Sequence, residues 1–181
     1  MKKYILSMVF GLMVSVLAQA QIYSTQNAVV SFYSATPVED IEANCKTVIA
    51  VLNAANGEMA FQITNTAFEF KNKLMEEHFN EKYMESDKFP KSTFKGKINE
   101  KIDFSKDGEY SVTVTGKLYI HGVEQDRTIS GKVIVKEGKI HLLTSFKVKN
   151  ADHKVEIPKI VSAKIAEEIE VKVDALLLPK K

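Results

Sequence analysis

Apolar and polar residues alternate with a period of two through most of this chain. The clearest run sets Tyr110, Val112, Val114, Gly116, Leu118 and Ile120 against Ser111, Thr113, Thr115 and Lys117, the pattern of a strand with one dry and one wet face. The same split recurs in Ile129, Gly131, Val133, Val135, in Ile140, Leu142, Thr144, Phe146, Val148, and in Ile169, Val171, Val173, Ala175, Leu177. Taken along the chain, it predicts strands over 28–34, 40–53, 58–70, 91–103, 109–121, 124–136, 139–149 and 165–178. Asn56-Gly57, Asp107-Gly108, His121-Gly122 and Glu137-Gly138 punctuate these runs with tight-turn chemistry, so successive strands should run antiparallel.

One segment breaks the alternation. Leu74, Met75, His78, Phe79 and Tyr83 recur at helical spacing, with Glu76, Glu77, Glu81 and Lys82 mostly off that face, which predicts a short amphipathic helix within 72–83. Such a helix is too short to stand alone in water. Its apolar stripe must be held by the strands around it, as a cover over the sheet. Pro158, in Val155–Ile160, predicts a second interruption before the last strand, a connection that could rim a pocket.

Eight long strands with one apolar face either close into an up-and-down barrel or stack as two sheets. Closure is favoured, because it removes sticky edges and suits long strands joined by tight hairpins. Small residues on the apolar parity, Gly96, Gly116 and Gly131 with Ala43 and Ala175, either leave room for a cavity or mark bends that curl the sheet.

The first twenty residues read as an export signal: Lys2 and Lys3, an apolar stretch from Ile5 to Leu17, and Ala18-Gln19-Ala20 as the cleavage site before Gln21. No cysteine stands immediately after that site, which argues against a lipid-anchored product and for a periplasmic or secreted one. The remainder, 21–181, is about one domain. No second long apolar run follows, so no stable membrane insertion is expected. The chain has 25 basic and 23 acidic residues, and the excess is the two signal lysines. A balanced, interspersed surface does not point to nucleic acid. A homodimer is compatible with the sequence and is not specified by it.

Candidate chemistry is sparse. Cys45, the single cysteine, lies on a strand with Ala43 and Thr47 on alternate positions and reads as a buried core thiol. His78 either meets a ligand headgroup or fixes the helix to a backbone carbonyl, and His121 should pin its own hairpin. His141 falls on the outward parity and His153 in a loop; no metal-ligand spacing links the four histidines, so neither metal nor cofactor is expected. Thr47, Thr144 and Glu167 share an inward parity that a small lipid hydrolase or isomerase would need, but no serine, cysteine or paired carboxylate is organised around a base. The residues alone therefore do not favour a catalytic base and leave the hydrolase as a third reading.

The block H-F-x₉-F-P from His78 to Pro90, then Ser92-Thr93-Phe94, then Gly116-Lys117-Leu118-Tyr119-Ile120-His121-Gly122-Val123, resembles the YceI-like family of exported polyisoprenoid-binding, lipocalin-like proteins. The order and spacing agree over roughly residues 28–178. Where many members carry Arg-Asp before the helical histidine, this chain has Met75-Glu76. The resemblance implies an eight-stranded antiparallel barrel, a short helix near its opening, no catalysis, and a hydrophobic ligand: a polyisoprenoid, an isoprenoid quinone or a fatty-acid derivative. Phe32, Phe61, Phe68, Phe70, Phe94, Phe146 and Leu118 are then the candidate ligand-lining residues of the barrel. Leu74, Met75, His78, Phe79 and Met84 are those of the cover. The alternative from a different class is a barrel with a solid core that serves as an envelope protein-interaction module.

Overall fold

The computed structural model describes residues 22–180; the expected export signal lies outside them. The strands are β1 (Ile22–Ala35), β2 (Asp40–Asn53), β3 (Glu58–Thr64), β4 (Glu69–Phe70), β5 (Lys91–Ile98), β6 (Gly108–Ile120), β7 (Val123–Lys136), β8 (Lys139–Lys149) and β9 (Glu168–Pro179). One helix, α1 (Lys73–His78), lies between β4 and β5. The strands are ordered β1-β9-β8-β7-β6-β5-β3-β2, all neighbours are antiparallel, and β1 pairs again with β2. That last pairing closes eight long strands into a barrel and leaves no separate second sheet. β4 is a two-residue addition on the β2 edge, pairing Ala43 with Phe70 and Asn44 with Glu69.

The departures from simple alternation have local causes. β1 begins six residues before its expected start at 28, because bulges between Thr25 and Val30 switch its parity: Tyr23 faces the core on an odd position, Ala28 and Val30 on even ones. The same irregularity shifts β2, whose buried positions move from Ala43 and Cys45 to Val48, Ala50 and Leu52. Thr47 falls on the bulge and is exposed, not inward as its spacing suggested. The run 58–70 is not one strand. A 3-10 turn at Asn65–Ala67 breaks it, and Asn65, fully buried, donates through Nδ2 to Phe89 O at 2.6 Å and accepts from Ser92 Oγ at 2.8 Å.

The run expected over 91–103 stops at Ile98. Residues 99–107 instead fold across that end of the barrel, with Ile102 and Phe104 packed on the core. Asp107-Gly108 therefore ends a long loop and is not a hairpin turn. True two-residue hairpins occur at His121-Gly122 and Glu137-Gly138, where φ is positive at both residues (49° and 76°, 51° and 70°), the geometry that matches strand twist.

The barrel has two unlike halves. At the end closed by 99–107, Tyr23, Val48, Leu52, Val133, Val135, Ile140 and Leu177 are fully buried and fill the interior. At the other end lie α1, the 36–39 loop, the 121–122 turn and the 150–167 connection.

Gly96 and Gly116 face each other across the β5–β6 ladder. A Cβ on Gly116 would sit 2.5 Å from Gly96 Cα and closer still to Lys95 O, while one on Gly96 would meet the Phe94 ring at 2.8 Å. These two glycines allow a close approach of backbones that curls the sheet, and neither lines a cavity. Of the five small positions on the apolar parity, only Gly131 does.

Candidate functional site

The cover is built from residues 72–84. Asn72 starts α1 by accepting from Leu74 N at 2.9 Å through its side chain. The helix continues into a π-helical turn at Phe79–Tyr83, closed by Met84 N donating to Phe79 O at 2.8 Å. The helical segment thus ends where the periodicity placed it, with its last turn widened. Asn80 holds that end: its Nδ2 donates to Glu76 O at 3.0 Å and its Oδ1 accepts from Ser86 Oγ at 2.8 Å.

Glu76 has a structural task here. It accepts from Lys73 Nζ at 2.9 Å and from Phe70 N at 3.1 Å, so one carboxylate ties α1 to β4. The Lys73 ammonium, and then the Phe70 N–H, hold its carboxyl below the usual carboxylate value.

Four phenylalanines seat the cover. Phe79 stacks on Phe32 with centroids 5.4 Å apart and meets Phe68 and Phe70 at 5.5 and 5.1 Å, and Phe32 meets Phe68 and Phe70 at 5.4 and 5.6 Å. Such offset and edge-on pairs add to the area they bury. Beneath them, in the unfilled half of the barrel, is a cavity of about 470 Å³, within the range of small-molecule sites. A solid core is therefore not what this barrel has.

Phe61, Phe94, Leu118 and Phe146 line its wall, as do the four rings of the seat. Leu74, Met75, His78 and Met84 line it from the cover, with Leu74 56% exposed at the outer edge. The structure thus brings every expected lining residue to one space. It also adds residues that sequence reasoning missed. Ile169, Val171 and Val173 carried an inward parity on β9 that could have named them. Val155, Ile157, Val161 and Ile165 come from the connection after Lys149, which does rim the cavity, and no periodicity marks them.

The histidines separate clearly. His78 is half-buried on the cavity wall and, among the described residues, has no hydrogen-bond partner, so it does not fix the helix to a carbonyl. His121 bonds His153 O at 3.1 Å and Glu85 Oε2 at 3.0 Å, pinning its hairpin to the segment after the cover and to the 150–167 connection. His141 bonds Asp174 on the outer wall at 2.6 Å. His153 is fully buried.

Because a carbonyl only accepts, His153 Nδ1 carries the hydrogen that reaches Val123 O at 3.3 Å, and Nε2 is left without a partner. Burial pulls its pKa below 6.5, against the opposing pull of the Val123 and Ile120 carbonyls. The unfolded chain therefore binds a proton below about pH 6.5 that the folded chain refuses, and stability falls as pH drops through that value towards the lowered folded one. The urea midpoint is expected to decline between pH 7 and 5, and His153→Asn, which keeps a donor for Val123 but does not titrate, to decline less. Equal declines would assign the effect elsewhere.

Among the described residues no group of three metal-ligating side chains converges, and no helix is long and apolar enough to cross a membrane. Cys45 is buried and free. Thr144 lines the cavity, but Thr47 is on the outer surface and Glu167 is exposed before β9, so the three residues a hydrolase would have used do not meet.

No curated protein is similar to the chain in sequence at a significant level. Solved structures share its fold. A polyisoprenoid-binding domain from Saccharophagus degradans implicated in plant cell wall breakdown has a TM-score of 0.75 at 14% identity, covering 89% of this chain and 99% of that one. BcnA of Burkholderia cenocepacia has a TM-score of 0.70 at 19% identity, covering 83% and 95%. The YceI protein of Campylobacter jejuni has a TM-score of 0.55 at 18% identity, covering 100% and 99%. The YceI-like domain itself matches residues 22–177, nearly the whole described barrel, and the chain belongs to the YceI-like family.

Proposed function

We propose that this chain is an exported, non-catalytic carrier that encloses an apolar chain in its barrel: a polyisoprenoid, an isoprenoid quinone or a fatty-acid derivative. The observation that supports this most directly is the cavity of about 470 Å³ whose wall is mainly Phe, Leu, Ile, Val and Met. Burial of a long chain there stabilises the complex by about 0.8 kcal/mol per CH₂, so affinity needs no charged anchor. The cover residues Leu74, Met75, Phe79 and Met84 then contact the ligand together with the barrel phenylalanines and Leu118. His78, polar and without a hydrogen-bond partner among the described residues, would meet a headgroup from the same wall. The amino-terminal pattern supports export to the periplasm or beyond, where water separates donor and acceptor membranes and a sheltered apolar cargo needs a carrier. The polyisoprenoid-binding description of the Saccharophagus domain agrees with this ligand class.

Native mass spectrometry of protein purified from its own host, followed by organic extraction, is expected to show one bound lipid per chain. Val171→Trp, which fills the cavity from β9 without adding charge, should abolish that adduct while leaving the circular dichroism spectrum unchanged. Lipid-free wild-type protein that also takes up no added prenol or fatty acid would refute the carrier.

A further inference from the structure

The cavity ends on a filled layer. Its deepest wall residues include Val133, Leu142 and Val173. Two residues further along β7 and β8 come Val135 and Ile140, and on β9 Ala175 and then Leu177. With Tyr23 and Leu52 they form a layer in which no side chain is more than 2% exposed and none lines the space. Cross-strand rungs hold the layer together, since Val135 pairs with Ile140, Ile140 with Leu177, and Tyr23 with Leu52. Behind it, Ile102 and Phe104 of the 99–107 loop pack on the core.

The wall is shut where its ladder is thinnest. β7 and β8 pair only from Lys132↔Leu143 to Lys136↔Lys139. Towards the cover, Thr144 Oγ1 donates to Ser130 O at 2.6 Å, the Arg127 guanidinium donates to Lys147 O, and Gln125 Nε2 donates to Asp152 O at 2.7 Å. A Cβ on Gly131 in that seam would already meet Leu143 O at 2.9 Å, so the seam has no room for a chain. The opening at the cover end is then where a ligand enters, and it enters tail first, because a polar head on the apolar floor would lose its hydrogen bonds.

Depth and volume set the length that fits. The lining runs from Val112 to Ile120 on β6 and from Leu142 to Lys149 on β8, roughly 23–26 Å of strand at about 3.3 Å per residue. With the ~35–45° tilt of barrel strands this is roughly 20 Å of depth. An extended hydrocarbon advances about 1.25 Å per carbon, given bonds of ~1.5 Å, so about sixteen carbons span it. The volume agrees: at roughly 27 Å³ per methylene, close-packed as in a protein interior, 470 Å³ holds about seventeen.

We infer that the barrel is a blind pocket that takes hydrocarbon chains of up to about sixteen to eighteen carbons, or about four isoprene units, and gains nothing from longer ones. The inference rests on the carrier reading and narrows its ligand class. A long-chain fatty-acid derivative or a compound with a short prenyl tail is sheltered whole. A polyprenol of eight or more units leaves about half of its chain in water at the mouth, where it contributes no burial.

A length series tests this, with straight-chain fatty acids from octanoic to tetracosanoic, and all-trans prenols of two to nine units, displacing a fluorescent fatty-acid probe. Wild-type affinity should rise about fourfold per added carbon up to about sixteen to eighteen carbons and then stay level within about twofold, the prenols levelling off after about four units. Val173→Phe sets a ring on the floor, in space that is empty in wild type, so the fold has room for it. It should match wild type for the ten-carbon acid and lag about tenfold or more at eighteen carbons. Ile140→Ala removes part of the filled layer and should extend the rise by about two carbons; Val173→Phe carries the test if that variant does not fold. Affinity that keeps rising to twenty-four carbons, or a folded Val173→Phe that levels off at the wild-type length, overturns the blind pocket and leaves the carrier reading standing. If no acid and no prenol of any length binds wild type, both fall.

Discussion

Replacement of Gly116 by valine is expected to prevent the barrel from closing. The added Cβ would have to occupy space held by Lys95 O and, at 2.5 Å, by Gly96 Cα. Both are backbone atoms of the neighbouring strand, so no rotamer change relieves the clash. The β5–β6 ladder must separate where Gly96 and Gly116 now face each other, and the rungs on both sides go with it. Overpacking of a core typically costs about 1–3 kcal/mol, and a clash with immovable backbone belongs at or above the top of that range, a large share of a domain's ~5–15 kcal/mol. The expected result is loss of soluble protein, or a urea midpoint lowered by at least about 3 kcal/mol equivalent. Gly138→Asn supplies the contrast. Nothing lies within 4 Å of its Cβ, and its φ of 70° is one that asparagine tolerates, so its midpoint should move by less than about 1 kcal/mol. Similar losses for the two variants would mean that conformation, and not close approach, is what the glycine supplies.

The contrast also bears on what the amino-acid pattern could tell. The period-two alternation located every long strand, because each has one face on the core. It failed where that link between sequence position and face is broken. A bulge moved Thr47 outward and hid the first residues of β1, since an extra residue inverts every parity beyond it. The break at Asn65–Ala67 was invisible because a buried asparagine in a strand-like run reveals its backbone partners, at Phe89 and Pro90, only once the chain has folded.

The site was legible to a similar degree and for the same reason. Aromatic residues on apolar positions line the cavity, whereas Val155, Ile157, Val161 and Ile165 reach it from a connection that has no period to read. Gly96, Gly116 and Gly131 looked alike in sequence, and each lies close to the backbone of a neighbouring strand, yet only Gly131 also borders the cavity. Register separates these cases, and register is a property of pairs of strands that no single strand encodes.

Loss of the Phe79 ring is expected to undock the cover without unfolding the barrel. Phe79 is the only member of the aromatic seat carried by the helical segment; Phe32, Phe68 and Phe70 belong to the wall side, and Phe79 touches all three at 5.1–5.5 Å. Full truncation of a buried phenylalanine costs about 3–5 kcal/mol, and for this partly buried ring roughly 2 kcal/mol is a fair expectation. A six-residue helix has no stability of its own to oppose that loss. The ties that survive, Glu76 to Phe70 N and Asn80 to Ser86, hold the segment's ends and turns and do not press its face onto the barrel. Opening should therefore be local. Limited proteolysis of Phe79→Ala is expected to cut within 73–88 at least tenfold faster than in wild type, since 1.4 kcal/mol is a factor of ten in the open population, while the global urea midpoint moves comparatively little. A bound prenol or fatty acid should dissociate faster by a similar factor. Leu74→Ala, at the exposed outer edge, should leave the cleavage rate close to that of wild type. If Phe79→Ala instead unfolds the whole barrel at a lowered midpoint, with no selective cleavage in 73–88, the helical segment is an integral wall of the fold and not a cover.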